Sequence, residues 1–238
     1  MLTEKLLNKI NELSSAEFNY TFTNDFNALN SLTYECNGIV MDATILFFEI
    51  KNISSMLKTG KRLATRVYKI YHDVLQEIAT ATQGHFSCYS PESFLLIYPK
   101  EQHDVVYAVD VAIKTADMFC NKLREALEPL CHVNFAIGID KGNIMGSRNN
   151  SDNGNDQIIW IGTSIDKAKA ICHECNRPFF VGTSGTVHHH LDEEHRVITK
   201  HILGFKKQID IWTTASYQFE NAKKHLYQTN YLKSFEEE

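Results

Sequence analysis

The sequence predicts an α+β domain of the ferredoxin-like, split βαβ type with added C-terminal strand–helix elements. Three observations lead there: a β-branched and aromatic run at 43–50, two amphipathic helical stretches after it, and a Pro-containing break between short apolar runs at 85–98. In order the elements read strand, helix, strand–strand, helix, strand, and then a further strand–helix unit. With 238 residues, 43% of them hydrophobic, the chain can bury a real core, and 11 Gly with 4 Pro argue against a long linker.

The first strand is Ala43-Thr-Ile-Leu-Phe-Phe-Glu-Ile50, rich in residues that suit a pleated, buried surface. Lys51-Asn52-Ile53-Ser54-Ser55 then gives a helix-start signal. Leu57, Leu63, Val67, Ile70, Tyr71, Val74, Leu75 and Ile78 recur at helical spacing, which predicts one helix to about Thr82. Gly84 stops it. His85–Tyr89 and Phe94–Tyr98 flank Ser90-Pro91-Glu92-Ser93 and read as a hairpin, with the proline in the turn where it is tolerated. Residues 104–127 read as helix, 132–140 as strand, 142–154 as a polar loop or short hairpin, and 158–161 as strand. Gly162-Thr163-Ser164 caps a helix running through Ile171, and strands are expected near Val197–Ile202 and Ile209–Trp212. The expected divisions are an N-terminal helix and arm over 1–35, serving dimer contact, a main domain over 36–215, and a C-terminal helix or tail over 216–238.

Composition excludes several function classes. A net charge of -5 offers no basic footprint for nucleic acid. No apolar run approaches the roughly 20 residues that cross a bilayer. The N-terminal MLTEKLLNKINELSS lacks a signal-peptide core, so the expected compartment is the cytoplasm, with no membrane partner. The six cysteines, Cys36, Cys88, Cys120, Cys131, Cys172 and Cys175, are then expected as free thiols. Cys172-His173-Glu174-Cys175 has the look of half a zinc knuckle, but no second half follows, and a helix end with buried thiols is the simpler reading. His188, His189 and His190 read as a solvated helix end.

Two acids stand at the ends of apolar runs. Glu49 closes the first strand and Glu92 lies at the hairpin tip, elements that are neighbours in a ferredoxin-like sheet. Two such carboxylates can hold Mg²⁺ or Mn²⁺ together with substrate phosphates. A solvated edge charge is the plain alternative for each.

Residues 43–173 resemble the catalytic domain of class III adenylate/guanylate cyclases. That family carries an F-x-D-I strand, a Gly-Gly…Lys-x-x-Gly-Asp hairpin, an R-x-G-I strand and loop, and a G-x-x-V-N-x-A-x-R helix start. Here they read Phe47-Phe48-Glu49-Ile50, Gln83-Gly84 through Cys88-Tyr89-Ser90-Pro91-Glu92, Ala136-Ile137-Gly138-Ile139, and Gly162-Thr163-Ser164-Ile165-Asp166-Lys167-Ala168-Lys169-Ala170. The stretch Asn155-Asp156-Gln157-Ile158-Ile159-Trp160-Ile161-Gly162, with Gly138-Ile139-Asp140, resembles the Pycsar-type pyrimidine cyclases of bacterial antiphage defence. The resemblance implies cyclisation of an NTP, CTP or UTP in the Pycsar case, to a 3′,5′-cyclic nucleotide by a two-ion site at a dimer interface.

By that resemblance Glu49, Glu92 and the Ile50 carbonyl hold Mg²⁺ or Mn²⁺, and the turn Lys51-Asn52-Ile53-Ser54 holds phosphate through its amides. The purine-reading Lys and Asp positions fall on Cys88 and Ile159, so the usual adenine or guanine readout is absent. The ribose-orienting Asn matches Asp166, and the transition-state Arg matches Ala170. Lys167, Lys169 and Arg148 are the candidates to replace that Arg. Both metal positions carry Glu in place of Asp, which keeps the charge and extends it by one methylene. A homodimer or a heterodimer with a second cyclase-like chain is implied. Three readings stand at this point: a divergent cyclase, a pseudo-cyclase that acts as a nucleotide-binding or regulatory dimer partner, and an unrelated ferredoxin-like interaction domain.

Overall fold

The computed structural model describes residues 2–33, 37–127, 132, 134–149, 157–202 and 205–235. Its centre is β2 (Asn37–Ile50), flanked antiparallel by β4 (Ser93–Pro99) and by β5 (Phe135–Asn149). Alternate residues of β2 feed two cores. Leu46, Phe48 and Ile50 face α3 (Lys61–Ala81) and α4 (Val105–Asp117). Ile39, Met41, Ala43, Ile45 and Phe47 face the other side, against α6 (Thr163–Glu174). Covered on both faces, the strand reads as one continuous apolar run rather than an alternation.

Beyond β4 lies β3 (His85–Ser90), the expected hairpin partner. Beyond β5 come β7 (Val181–Ser184), β11 (Ala222–Thr229) and β10 (Thr213–Phe219), so the main path runs β10-β11-β7-β5-β2-β4-β3. At the far end of β2 and β5, β1 (Asn19–Phe22) pairs with β2 and β6 (Gln157–Ile161) with β5. The separate ribbon β8 (Val197–Ile202) and β9 (Phe205–Asp210) completes the strands.

The structure corrects several expectations. The first long helix is two, α2 (Ile53–Thr59) and α3, broken where Gly60 extends the chain. The second is α4, a π-helical turn over Met118–Leu123, and α5 (Arg124–Leu127). The segment read as polar loop or short hairpin after Gly142 is strand up to Asn149, because its backbone pairs with β2 and then with β6. The segment 216–238 holds strands β10 and β11 where a helix or tail was expected. Glu220 and Asn221, both at positive φ (48° and 60°), make the two-residue turn that a tight hairpin requires. The boundary at 215/216 therefore cuts a strand. The arm boundary at 35/36 lies outside the described residues, as do Cys36 and Cys131. His188 is no solvated end: its ring stacks on Tyr227 at 3.8 Å.

His85 sits between the rings of Phe26, at 4.9 Å, and Trp160, at 5.5 Å. Burial there pushes its imidazole from 6.5 down to about 4. Between those values the unfolded chain binds a proton that the folded chain refuses. Stability is therefore lost as pH falls through that window, by up to about 3 kcal/mol. His85→Phe is expected to remove this loss. The wild-type-minus-variant difference in urea unfolding free energy is then flat above about pH 7 and turns against wild type at lower pH.

Candidate functional site

The end of β2 is locked between two neighbours. Glu49 stands opposite Ser93 of β4 and Ala136 of β5. The Ile50 amide donates to the Glu92 carbonyl at 2.9 Å, and the Lys51 amide to the Asn134 carbonyl at 2.9 Å. The hairpin tip is itself fastened, by Ser90 Oγ to Ser93 Oγ at 2.6 Å and by the Glu92 amide to Ser90 Oγ at 3.3 Å. Glu49, Ile50 and Glu92 are thus brought together through their backbones.

Their carboxylates have different partners. Alternation along β2 turns Glu49 toward α6, like Phe47. Its Oε1 lies 3.7 Å from Lys51 Nζ, and its Oε2 lies 3.0 Å from Nε2 of His173. Lys51 Nζ also donates to the Cys172 carbonyl at 2.8 Å, one of the acceptors left open at the end of α6. Glu92 Oε1 accepts from Ser54 Oγ at 3.2 Å.

The phosphate turn is partly spent. The Lys51 amide is taken by Asn134, Ile53 is buried, and Asn52 Nδ2 donates to the His132 carbonyl at 2.6 Å. On α6, Asp166, Lys169 and His173 follow at three- and four-residue spacing and so share one face. Asp166 is exposed. Lys169 Nζ sits 5.2 Å from the ring of Tyr89, which in turn edges onto Phe47 at 5.2 Å. Ala170 packs against the α6-side core.

The remaining candidates lie elsewhere. Arg148 is twelve residues along β5 from Ala136, about 40 Å at ~3.3 Å per residue. Its Nη2 donates to the Leu29 carbonyl at 3.1 Å. Cys88 is paired with Phe94, so it faces α3, where its sulfur lies 4.0 Å from Tyr68 Oη. Burial first, and the Cys88 neighbour second, push that phenol upward. Ile159 is exposed on β6. The Asn155-Asp156 pair lies outside the described residues.

The half-knuckle resolves as a helix end. Cys172 is fully buried and its Sγ donates to the Ala136 carbonyl at 3.2 Å. Burial holds the Cys172 thiol well above its ordinary range and pushes Cys175 up to about 12, as befits thiols packed in the α6-side core. Of the four side chains, the one that reaches Glu49 is His173. Sequence reasoning passed over it as a site residue, although its spacing from Asp166 and Lys169 was a usable signal.

Among the described residues, no group of three or more His, Cys, Asp or Glu side chains is placed to hold a metal ion. The donor chemistry nonetheless fits a hard divalent cation brought in with a nucleotide. Oε2 of Glu49 is buried and accepts no hydrogen bond. Mg²⁺-type ions are commonly held by one or two carboxylates, with substrate phosphates and water completing the shell.

No protein-family model and no curated protein matches the sequence. Solved structures do match. The guanylyl cyclase Cya2 is similar at 14% identity and a TM-score of 0.65, over 84% of this chain and 97% of that one. The adenylyl cyclase CyaB from P. aeruginosa is similar at 12% identity and a TM-score of 0.63, over 84% and 98%. A class III adenylyl cyclase-like ATP-binding protein from Pseudomonas aeruginosa reaches 19% identity and a TM-score of 0.56, over 70% of this chain and 38% of that one. At these identities the likeness speaks for architecture, and the chain has the α+β fold of a class III nucleotide-cyclase domain.

Proposed function

We propose that this protein is a nucleotide cyclase, converting a nucleoside triphosphate to a 3′,5′-cyclic nucleotide and pyrophosphate as a cytoplasmic homodimer. The observation that carries the reading is the pair of acids at hydrogen-bonded backbones, with one buried carboxylate oxygen that accepts no hydrogen bond and faces His173 Nε2 at 3.0 Å. Pyrimidine substrates, CTP or UTP, are proposed on the resemblance: the positions it gives to a purine-reading Lys and Asp hold uncharged Cys88 and Ile159, and within one copy both lie away from Glu49. The Pycsar-like stretch around Trp160 supports the same choice, and with it a role in antiphage signalling.

Glu49, Glu92 and the Ile50 carbonyl would hold Mg²⁺ or Mn²⁺. Such ions supply acidity to the 3′-hydroxyl and neutralise the leaving phosphates. The 3′-oxygen attacks the α-phosphorus, the bond to the β-phosphate oxygen breaks, and the hydroxyl proton passes to solvent. Amides of Asn52, Ile53 and Ser54 remain to face phosphate. In the dimer, α6 of one copy brings Asp166 to the ribose and Lys169 to the charge building on the phosphoryl group. Arg148, engaged with Leu29, is the weaker candidate for that charge.

Dimerisation is supported by apolar side chains left in water. Helix α1 (Leu2–Ser15) buries none of its residues, and Phe22, Ile159 and Ile161 are exposed at the β1/β6 end of the sheet. Deleting residues 2–15 is expected to weaken self-association at least about tenfold, a change of ~1.4 kcal/mol, in sedimentation equilibrium. The folded domain should keep its near-UV circular dichroism.

A second reading, a pseudo-cyclase that binds nucleotide without turnover, is favoured by Ala170, which puts a methyl group where charge must be stabilised. One experiment separates the two. The protein is incubated with each of the four NTPs and Mn²⁺, and products are read by mass spectrometry beside thermal shifts. Cyclic CMP or cyclic UMP supports the cyclase. A nucleotide-dependent rise in melting temperature without product supports the second reading.

A further inference from the structure

Building on the reading of Glu49 as a cation ligand, we infer that His173 is a second protein ligand to the same ion, a nitrogen donor that makes the site prefer Mn²⁺ over Mg²⁺. Nε2 of His173 and Oε2 of Glu49 are 3.0 Å apart. Two ligands at ~2.1 Å from one octahedral ion, at right angles, are separated by about 3.0 Å. The two atoms are close enough for an ion pair, but their alignment is not that of a directed hydrogen bond.

The neighbours assign the other oxygen elsewhere. Lys51, tied to the Cys172 carbonyl, stands beside Oε1, so its positive charge steers a cation toward Oε2. The His173 ring is placed by a rigid support. Cys172, its neighbour in the chain, is pinned to Ala136, and the last turn of α6 lies against β5 at Gly138. The ring keeps 52% of its side-chain surface exposed, which leaves room for water and phosphate oxygens to complete the shell. Glu49 and His173 alone start the shell; Glu92, whose Oε1 accepts from Ser54 and which forms no three-residue cluster with them among the described residues, would have to turn from that bond to join it.

The metal preference follows from ligand type. Mg²⁺ holds to oxygen donors and dehydrates reluctantly. Imidazole suits the later first-row ions best; Mn²⁺, the weakest of that series, is still softer than Mg²⁺ and so takes one nitrogen in a mainly oxygen shell at less cost.

The test uses the full chain with Mn²⁺ and inorganic tripolyphosphate, so that neither base identity nor turnover enters. Pulsed electron paramagnetic resonance of the bound Mn²⁺ is expected to show ¹⁴N coupling from an imidazole. His173→Ala should abolish that coupling and weaken Mn²⁺ binding about tenfold or more, with Mg²⁺ binding, read by competition, little changed. His173→Asp, a second variant on the same exposed helix end, should restore binding without the nitrogen signal and let Mg²⁺ compete better. Bound Mn²⁺ that lacks nitrogen coupling and is unaffected by His173→Ala overturns the assignment of His173. If Glu49→Ala still releases the ion in that case, the reading of Glu49 stands alone. If wild type binds no Mn²⁺ with tripolyphosphate, both fall together.

Discussion

Gly138→Ala is expected to prevent stable folding. A Cβ there would lie 1.9 Å from the Ala168 carbonyl oxygen and 2.5 Å from the Cys172 amide nitrogen. Both are backbone atoms of α6, so no side-chain rotation can make room. The helix would have to lift from β5, opening the packing of Ala168, Ile171 and Cys172 against Phe47 and Ala136. Overpacking of this kind, with loss of a core face, costs upward of about 4 kcal/mol. That approaches the whole stability of a typical domain, roughly 5–15 kcal/mol. Urea unfolding reads the effect, and a soluble variant with an unchanged midpoint would contradict the packing described for α6. Gly60→Ala is the control. A Cβ at that position would meet nothing within 4 Å, and the φ of 176° is ordinary extended backbone, so the change should stay within about 0.5 kcal/mol.

Glu49→Ala carries the largest expected effect on chemistry. Removing the carboxylate deletes the buried oxygen proposed to hold the cation, and cyclic-nucleotide formation should fall at least about 1000-fold. Stability should fall by roughly 1–3 kcal/mol, because Lys51 keeps its bond to the Cys172 carbonyl but loses a largely buried ion-pair partner. Glu49→Gln should be as inactive as the alanine variant, since it keeps the shape and loses the charge. Glu49→Asp should retain part of the rate. Initial rates by mass spectrometry, with melting temperatures alongside, check the order. Wild-type turnover by Glu49→Ala would remove the carboxylate from the mechanism.

Much of the central fold was legible because its signals are local. The run from Ala43 to Ile50, the break at Ser90-Pro91-Glu92-Ser93 and the helical spacing from Leu63 to Ile78 each report on a single element. The hairpin β10–β11 escaped because its signal was weak. Ala215 and Tyr217 face the core on one strand and Leu226 on the other, and the Glu220-Asn221 turn lacks the glycine that usually marks such hairpins. Its place in the sheet comes from pairing with β7, some forty residues earlier in the chain.

The site divides in the same way. From the sequence alone came the acids at 49 and 92, the turn that follows Ile50, and Asp166 and Lys169 at the start of one helix, since strand period and helix period are properties of neighbouring residues; the face those two share with His173 was available in the spacing but not read. Tertiary structure alone decided what that face meets. It set His173 and Lys51 on the two oxygens of Glu49, turned Cys88 to the opposite side of the sheet and left Arg148 at the far end of β5. Periodicity tells which side of a helix is which, but the contact a side makes depends on how closely α6 can settle on β5, and the missing side chain of Gly138 permits that approach.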